Sequence, residues 1–307
     1  MKIVITLGGN ALLRRGEVMS AENQQLNIKH ACQSIVKVAK NHHVVLGHGN
    51  GPQVGLLALQ SESYKAVPAY PFDILGAESQ AMVGYMFAQE LRNQLGGADV
   101  ACVITQSIVD AKDPAFSNPT KFIGCVYSKE ESEKIAKEKG WVMKEDGPYY
   151  RRVVPSPKPK KIVEMPVIRS LVDSGVMVIS AGGGGVPVME KDGRLIGLEA
   201  VIDKDFAGSI LASELNADLL IIATDVEGVY VGWGTENQQM IKQISPKSLL
   251  EMGFAAGSMG PKVFAACEFV QKTGNTAIIG ALENIEQMVA GKSGTIIKNE
   301  IEEVVFY

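Results

Sequence analysis

The sequence has little of what would brace or anchor a chain from outside its own core. Only four cysteines, Cys32, Cys102, Cys125 and Cys267, occur in 307 residues. They are far apart and form no Cys-x-x-Cys pair, which excludes a disulfide framework or a zinc site as the organising element. The four histidines add no metal-ligand spacing near them. No uncharged apolar run reaches the ~18 residues that a membrane helix needs. The stretch Met1 to Leu7 reads as a strand running into Gly8-Gly9, not as a cleavable leader. The expectation is a cytoplasmic protein whose cysteines fill space. Charge of one sign is missing too: 30 basic residues face 34 acidic ones, a net charge of −4. That gives no general attraction to nucleic acid or to an anionic membrane, so any phosphate must be met by individual lysines. Two familiar phosphate signatures are also absent. Gly49, Gly51 and Gly55 give G-x-G-x-x-x-G, one residue too long for the dinucleotide fingerprint, and G-x-x-x-x-G-K-[ST] does not occur.

What is present is enough for a large core. With 46% hydrophobic and 21% charged residues, the chain reads as an α/β protein of two lobes. Three glycine loops follow three apolar strands: Gly8-Gly9-Asn10 after Lys2 to Leu7, Gly47 to Gly55 after Val44 to Leu46, and Gly182 to Gly185 after Val176 to Ser180. Pro52 suits the first turn of a helix. Such loops either make tight turns or turn backbone N–H groups toward an anion, and their repetition at strand ends favours the second reading. A helix is expected from Ser20 as N-cap, with Ile28, Ala31, Ile35 and Val38 on one face, and another from about Ala77 to Leu95.

From about 112 to 161 the composition shifts to six prolines, a charged helix capped by Ser128 with Glu131, and a hairpin signal at Asp146-Gly147. This reads as an inserted subdomain, with Asn118 to Lys121 in one loop and Arg151 to Pro157 in another. Past the middle, Asp203-Lys204-Asp205 stands between an apolar approach and a helix. Alone it reads first as a solvated turn with a local ion pair; beside the glycine loops it also fits a lysine fixed by carboxylates to meet a phosphate at a helix N-terminus. Asp225 to Tyr230 offers an apolar wall, a ring and a carboxylate for adenine and ribose. Lys262 falls in a first helical turn after Pro261, where it opposes the helix dipole unless an anion lies between.

Together these motifs resemble the carbamate kinases of the amino-acid kinase superfamily. The resemblance runs through Leu7 to Leu12, His48 to Gly55, Asp113 to Phe116, Asn118 to Lys121, Arg151 to Pro157, Ser180 to Gly185, Glu199 to Asp205 and Gly257 to Lys262. It departs at Phe122, where proline is usual, and at Phe264, where an acidic residue is expected. Related acetylglutamate kinases carry a lysine at the position of Thr6, and Lys204 looks like its replacement.

The resemblance implies an open eight-stranded, mainly parallel sheet sandwiched by helices, with the inserted subdomain at 112–161 protruding from it. Residues 1–216 would form the N-terminal lobe for carbamate or carbamoyl phosphate, and 217–307 the nucleotide lobe. It also implies Mg2+ with ATP or ADP, held mainly by phosphates and not by protein side chains, and a homodimer without nucleic-acid or membrane partners. The implied activity is reversible phosphoryl transfer between ATP and carbamate, running toward ATP. On that reading Lys121, Lys204, Asp205 and Lys262 are catalytic, with Asp205 holding Lys204 and Lys262. Gly8, Gly9, Asn10, Gly49, Asn50 and Gly51 bind the phosphoryl oxygens and carbamate. Gly182, Gly183, Asp225, Val226, Tyr230, Met259 and Pro261 bind the nucleotide. Two rivals remain at this point: another acyl-phosphate kinase of the superfamily, and a non-catalytic nucleotide-binding regulator.

Overall fold

The structure, a computed structural model, describes residues 1–14, 16–254 and 259–307. The expectations placed on Gly257 and Ser258, and on the side chain of Asn10, lie outside the described residues.

One mainly parallel sheet runs through the molecule. Its body has eight strands, in spatial order Gln239–Ile244, Thr295–Ile297, Thr276–Ala281, Leu219–Thr224, Lys2–Leu7, His43–His48, Met177–Ile179 and Val100–Cys102. Neighbours are parallel except Thr276–Ala281 with Thr295–Ile297. Two further strands of two residues, Tyr230–Val231 and Val305–Phe306, pair antiparallel with Gln239–Ile244. Strands buried on both faces read as near-continuous apolar runs, which is how Leu219 to Ile222 and Ile3 to Ile5 appear in the sequence.

The helices are α1 (Ala21–Ala39), α2 (Gly51–Ser63), α3 (Phe72–Gln94), α4 (Lys129–Lys139), α5 (Met165–Asp173), α6 (Lys204–Glu214), α7 (Pro246–Glu251), α8 (Met259–Thr273) and α9 (Ile285–Val289). They cover both faces. Ile3, Ile5 and Leu7 pack with α1, α3 and α9, while Val4, one residue out of phase, packs with α5, α6, α7 and α8. This alternation is the two-residue period of a strand. It puts Thr6 on the α6 side, where its methyl fills the space left by Gly208. Helix α3 begins at Phe72, five residues before its sequence-derived start, because Pro71 is a compatible N-cap and Phe72 and Leu75 are buried.

The segment after Asp110 forms a three-stranded antiparallel sheet, Lys121–Tyr127, Tyr149–Val154 and Met143–Asp146, with α4 beside it. Gly147, at φ 64°, makes the hairpin turn. Lys121 and Arg151 to Val154 therefore lie on strands, where the sequence suggested loops: Lys121 pairs with Val154. Strand Pro159–Ile162 joins a separate four-stranded sheet by pairing with Gln106–Val109. A small apolar cluster, including Val54, Phe72, Ile123 and Val154, ties the three-stranded unit to α2 and α3. There a Cβ on Gly55 would stand 2.2 Å from Gly124 Cα, so only glycine allows that approach.

Candidate active site

Parallel sheets bind ligands outside the carboxyl ends of their strands, and a cleft of about 600 Å³ opens at that edge. It runs from Leu282 and Glu283 past Ala223 to Asp225 and Gly8-Gly9 to Gly49 to Gly51, with Lys121 and Phe122 reaching it from the three-stranded unit.

At its centre stands Asp205, 2% exposed. One carboxylate oxygen accepts from the Lys204 ammonium and from Thr6 Oγ1 at 3.3 Å. The other accepts from Lys262 Nζ at 3.2 Å. Helix α6 starts here because Asp203 caps it, its Oδ1 accepting from Asp205 N at 3.0 Å. Asp203 Oδ2 in turn accepts from Lys121 Nζ at 2.6 Å. Three lysines from three elements thus converge through two adjacent carboxylates.

The electrostatics follow from burial and pairing. Burial opposes charge on Asp205, but the ammoniums of Lys204 and Lys262 outweigh it and hold the carboxyl well below the usual carboxylate range. Burial likewise opposes charge on Asp203, and Lys121 more than offsets it. Lys204 is pulled down by burial, which Asp205 only partly counters. Lys262 feels the same burial, yet Asp205 and Asp203 overcome it and leave its pKa raised. His48 is buried and its pKa falls to about 4, chiefly through loss of solvent. Its Nδ1 meets Gly49 O at 2.9 Å, so it is a neutral loop brace with no free role as a base.

The glycine loops divide their work differently from the expectation. Gly8 N–H donates to Ala223 O and Gly49 N–H to Leu7 O, each at 3.0 Å. These two amides are spent on tying the loops to the sheet and cannot receive an oxyanion. Gly9 and Gly51, each the first residue of a helical segment, keep N–H groups outside intrahelical bonding and line the cleft. Asn50 uses its amide on Ser79 Oγ at 2.8 Å.

Gly182 to Gly185 form a packing junction. A Cβ on Gly183, at φ 60°, would lie 2.1 Å from Asn50 Nδ2, and one on Gly184 would lie 2.8 Å from the Ile202 backbone oxygen. The run therefore sets the position of Asn50 and of the turn that carries Lys204. Gly183 lines the cleft but Gly182 is buried against His48. Asp225 and Pro261 also line it. Val226 and Tyr230 do not: Tyr230 meets Trp233 edge-on, and Met259 packs on the core.

Among the polar residues that sequence reasoning did not assign to the site, Asp203 and Arg14 line the cleft, and Thr6 donates to Asp205. Asp203 had a signal in the Asp-Lys-Asp triplet. Thr6 had one only through the resemblance, which places it where related acetylglutamate kinases carry a lysine. Phe122, which replaces the usual proline, lines the cleft and lies under the Arg151 guanidinium at 5.7 Å; Phe264 is exposed.

The model of the amino acid kinase family matches residues 1–281. A carbamate kinase of Haemophilus influenzae is 53% identical across 100% of both chains. One of Pyrococcus furiosus is 48% identical over 96% of this chain and 98% of its own. Among solved structures, carbamate kinase from Giardia lamblia bound to AMP-PNP superposes with a TM-score of 0.88 at 40% identity, covering 97% of this chain and 98% of that one.

Proposed function

This chain belongs to the amino acid kinase family, among its carbamate kinases, and we infer from that membership and from the cleft that it transfers a phosphoryl group reversibly between ATP and carbamate. The observation that carries the reading is the buried Lys204, Asp205 and Lys262 cluster at the carboxyl edge of the sheet. Carbamate brings its own anionic oxygen, so attack on the γ-phosphorus needs no general base. Catalysis reduces to in-line placement and charge neutralisation. The neutral, braced His48 accords with that.

On this reading Lys204 and Lys262 neutralise the transferring phosphoryl group and the β-phosphate, and Asp205 holds both ammoniums at a fixed separation. The N–H groups of Gly9 and Gly51 take phosphoryl or carbamate oxygens. Lys121, carried by the three-stranded unit, adds the last positive charge and, with Phe122, excludes water from a hydrolysable acyl phosphate. The nucleotide lies toward Ala223 to Asp225 and Pro261, on the side of residues 217–307, and carbamoyl phosphate toward Gly49 to Gly51. Asp203 and Asp205 are already engaged by lysines, which suits magnesium held mainly by phosphate oxygens. When bound, it would neutralise charge between neighbouring phosphates.

An acyl phosphate is a stronger phosphoryl donor than ATP, so ATP synthesis is the proposed direction. We further propose a cytoplasmic homodimer, supported by the exposed Ile74 and Tyr85, eleven residues apart on α3. Among the described residues no helix is long and apolar enough to cross a membrane. The test is ATP formation from ADP and carbamoyl phosphate, with acetyl phosphate as the competing donor. Preference for carbamoyl phosphate supports the reading. Preference for acetyl phosphate would move the enzyme to another acyl-phosphate kinase, and binding without turnover to a regulator.

A further inference from the structure

Lys204 and Lys262 both enter the cleft from one side. They begin α6 and lie in the first turn of α8, helices packed on the Val4 face of the sheet. Arg14 arrives from the other side. It follows the turn Gly9–Ala11 and leads toward α1, which packs with α9 on the Ile3, Ile5 and Leu7 face, and it lines the cleft together with Ala11, Leu282 and Glu283.

Its charge is also held differently. Each of the three cleft lysines is in an ion pair with Asp203 or Asp205. Among the described residues no carboxylate lies within ion-pair distance of the Arg14 guanidinium. Glu17, close in sequence, uses one oxygen to accept from Arg14 N at 2.9 Å and from Asn27 Nδ2 at 2.6 Å. Among the described residues, the side chains lining the cleft comprise four cations and four carboxylates, and Arg14 is the one cation that reaches it from the α1 side.

We propose that Arg14 is a nucleotide-binding residue that grips the phosphate chain of ADP or ATP from the face of the sheet opposite Lys204 and Lys262. The inference rests on the nucleotide reading of the cleft given above. A planar guanidinium with several donors suits two phosphate oxygens at once. Because it is exposed and, among the described residues, lies outside ion-pair distance of any carboxylate, it can turn onto the ligand without breaking a buried contact. It does not touch the transferring group, so it acts on binding and leaves the chemical step alone.

The test measures ADP affinity by calorimetry for wild type, Arg14→Gln and Arg14→Lys at low and high salt, beside KM for carbamoyl phosphate, kcat and thermal melting. For Arg14→Gln the expected result is a Kd for ADP raised about three- to tenfold at low salt, with the difference shrinking at high salt. Carbamoyl phosphate KM, kcat at saturation and melting temperature should stay within about twofold or a degree or two, and Arg14→Lys should recover most of the affinity. Unchanged ADP affinity in Arg14→Gln, with wild type binding ADP, overturns the Arg14 assignment alone. A rise in carbamoyl phosphate KM in place of ADP Kd also overturns it. Failure of wild type to bind ADP overturns the nucleotide reading itself.

Discussion

The Asp205 centre and the Lys121 contact are held by different parts of the molecule. Asp205 is fixed by Lys204 on its own helix, by Lys262 from α8 and by Thr6 from the central strand, and its side chain is 3% exposed. Lys121 has one carboxylate partner, Asp203, and its side chain is 31% exposed. It belongs to a unit tied to the rest by a small apolar cluster and a glycine contact on α2. The difference teaches a division of labour. Charges that must be in place before substrate arrives are set on the central layers. The more exposed Lys121 charge reaches the same cleft from a separate, peripheral sheet.

Breaking the centre should have the largest effect. Lys204→Ala and Lys262→Ala should each lower kcat by on the order of 10² to 10⁴, the range expected when a preorganised charge is removed from a phosphoryl-transfer site. Steady-state rates with saturating Mg-ADP check this, and wild-type turnover by both variants would remove the two lysines from the chemistry. Next in size is Asp205→Asn, which keeps the shape and removes the charge that gathers the ammoniums. Its loss should fall mainly on kcat. Combined with Lys204→Ala it should be less than additive, whereas strict additivity would mean that the two residues act independently.

The smallest effect sharpens the contrast. Thr6→Val removes one donor from Asp205 but keeps the methyl packed over Gly208. The bond is long, so kcat should fall only about three- to tenfold, as for a weak hydrogen bond to a charged group. A Thr6→Ser variant, which retains the hydroxyl, should stay closer to wild type, and a ranking with Ser below Val would assign the threonine to packing.

Much of this was legible before any coordinates. Apolar runs broken by glycine at strand ends gave the parallel layers, and the Asp-Lys-Asp triplet marked the start of α6, because strand burial and helix capping are local properties. Partnerships across the sheet were not. Nothing in the spacing around Lys262 names Asp205 as its partner, which only the family resemblance supplied, and the contact of Thr6 with Asp205 was not expected at all. The glycine run 182–185 reads two ways for a physical reason. Close backbone packing and anion binding both require glycine, and only the position of Asn50 and Ile202 against the run tells which applies. The engagement of the Gly8 and Gly49 amides was hidden similarly, since a loop sequence does not reveal which N–H groups already donate to the neighbouring strand. The start of α3 at Phe72 was hidden because Pro71 and Phe72 resemble a loop until the burial of Phe72 is known.

The most direct test of the division between a fixed centre and a delivered charge is Lys121→Ala, with three quantities measured on one preparation: KM for carbamoyl phosphate, kcat, and the ADP dissociation constant. The account predicts a higher KM and a lower kcat with ADP binding nearly unchanged, because Lys121 reaches the cleft from the three-stranded unit, whereas the nucleotide is proposed to lie toward Ala223 to Asp225 and Pro261. A variant that loses ADP affinity as much as it loses carbamoyl phosphate use would contradict it, and would make Lys121 an ordinary nucleotide contact.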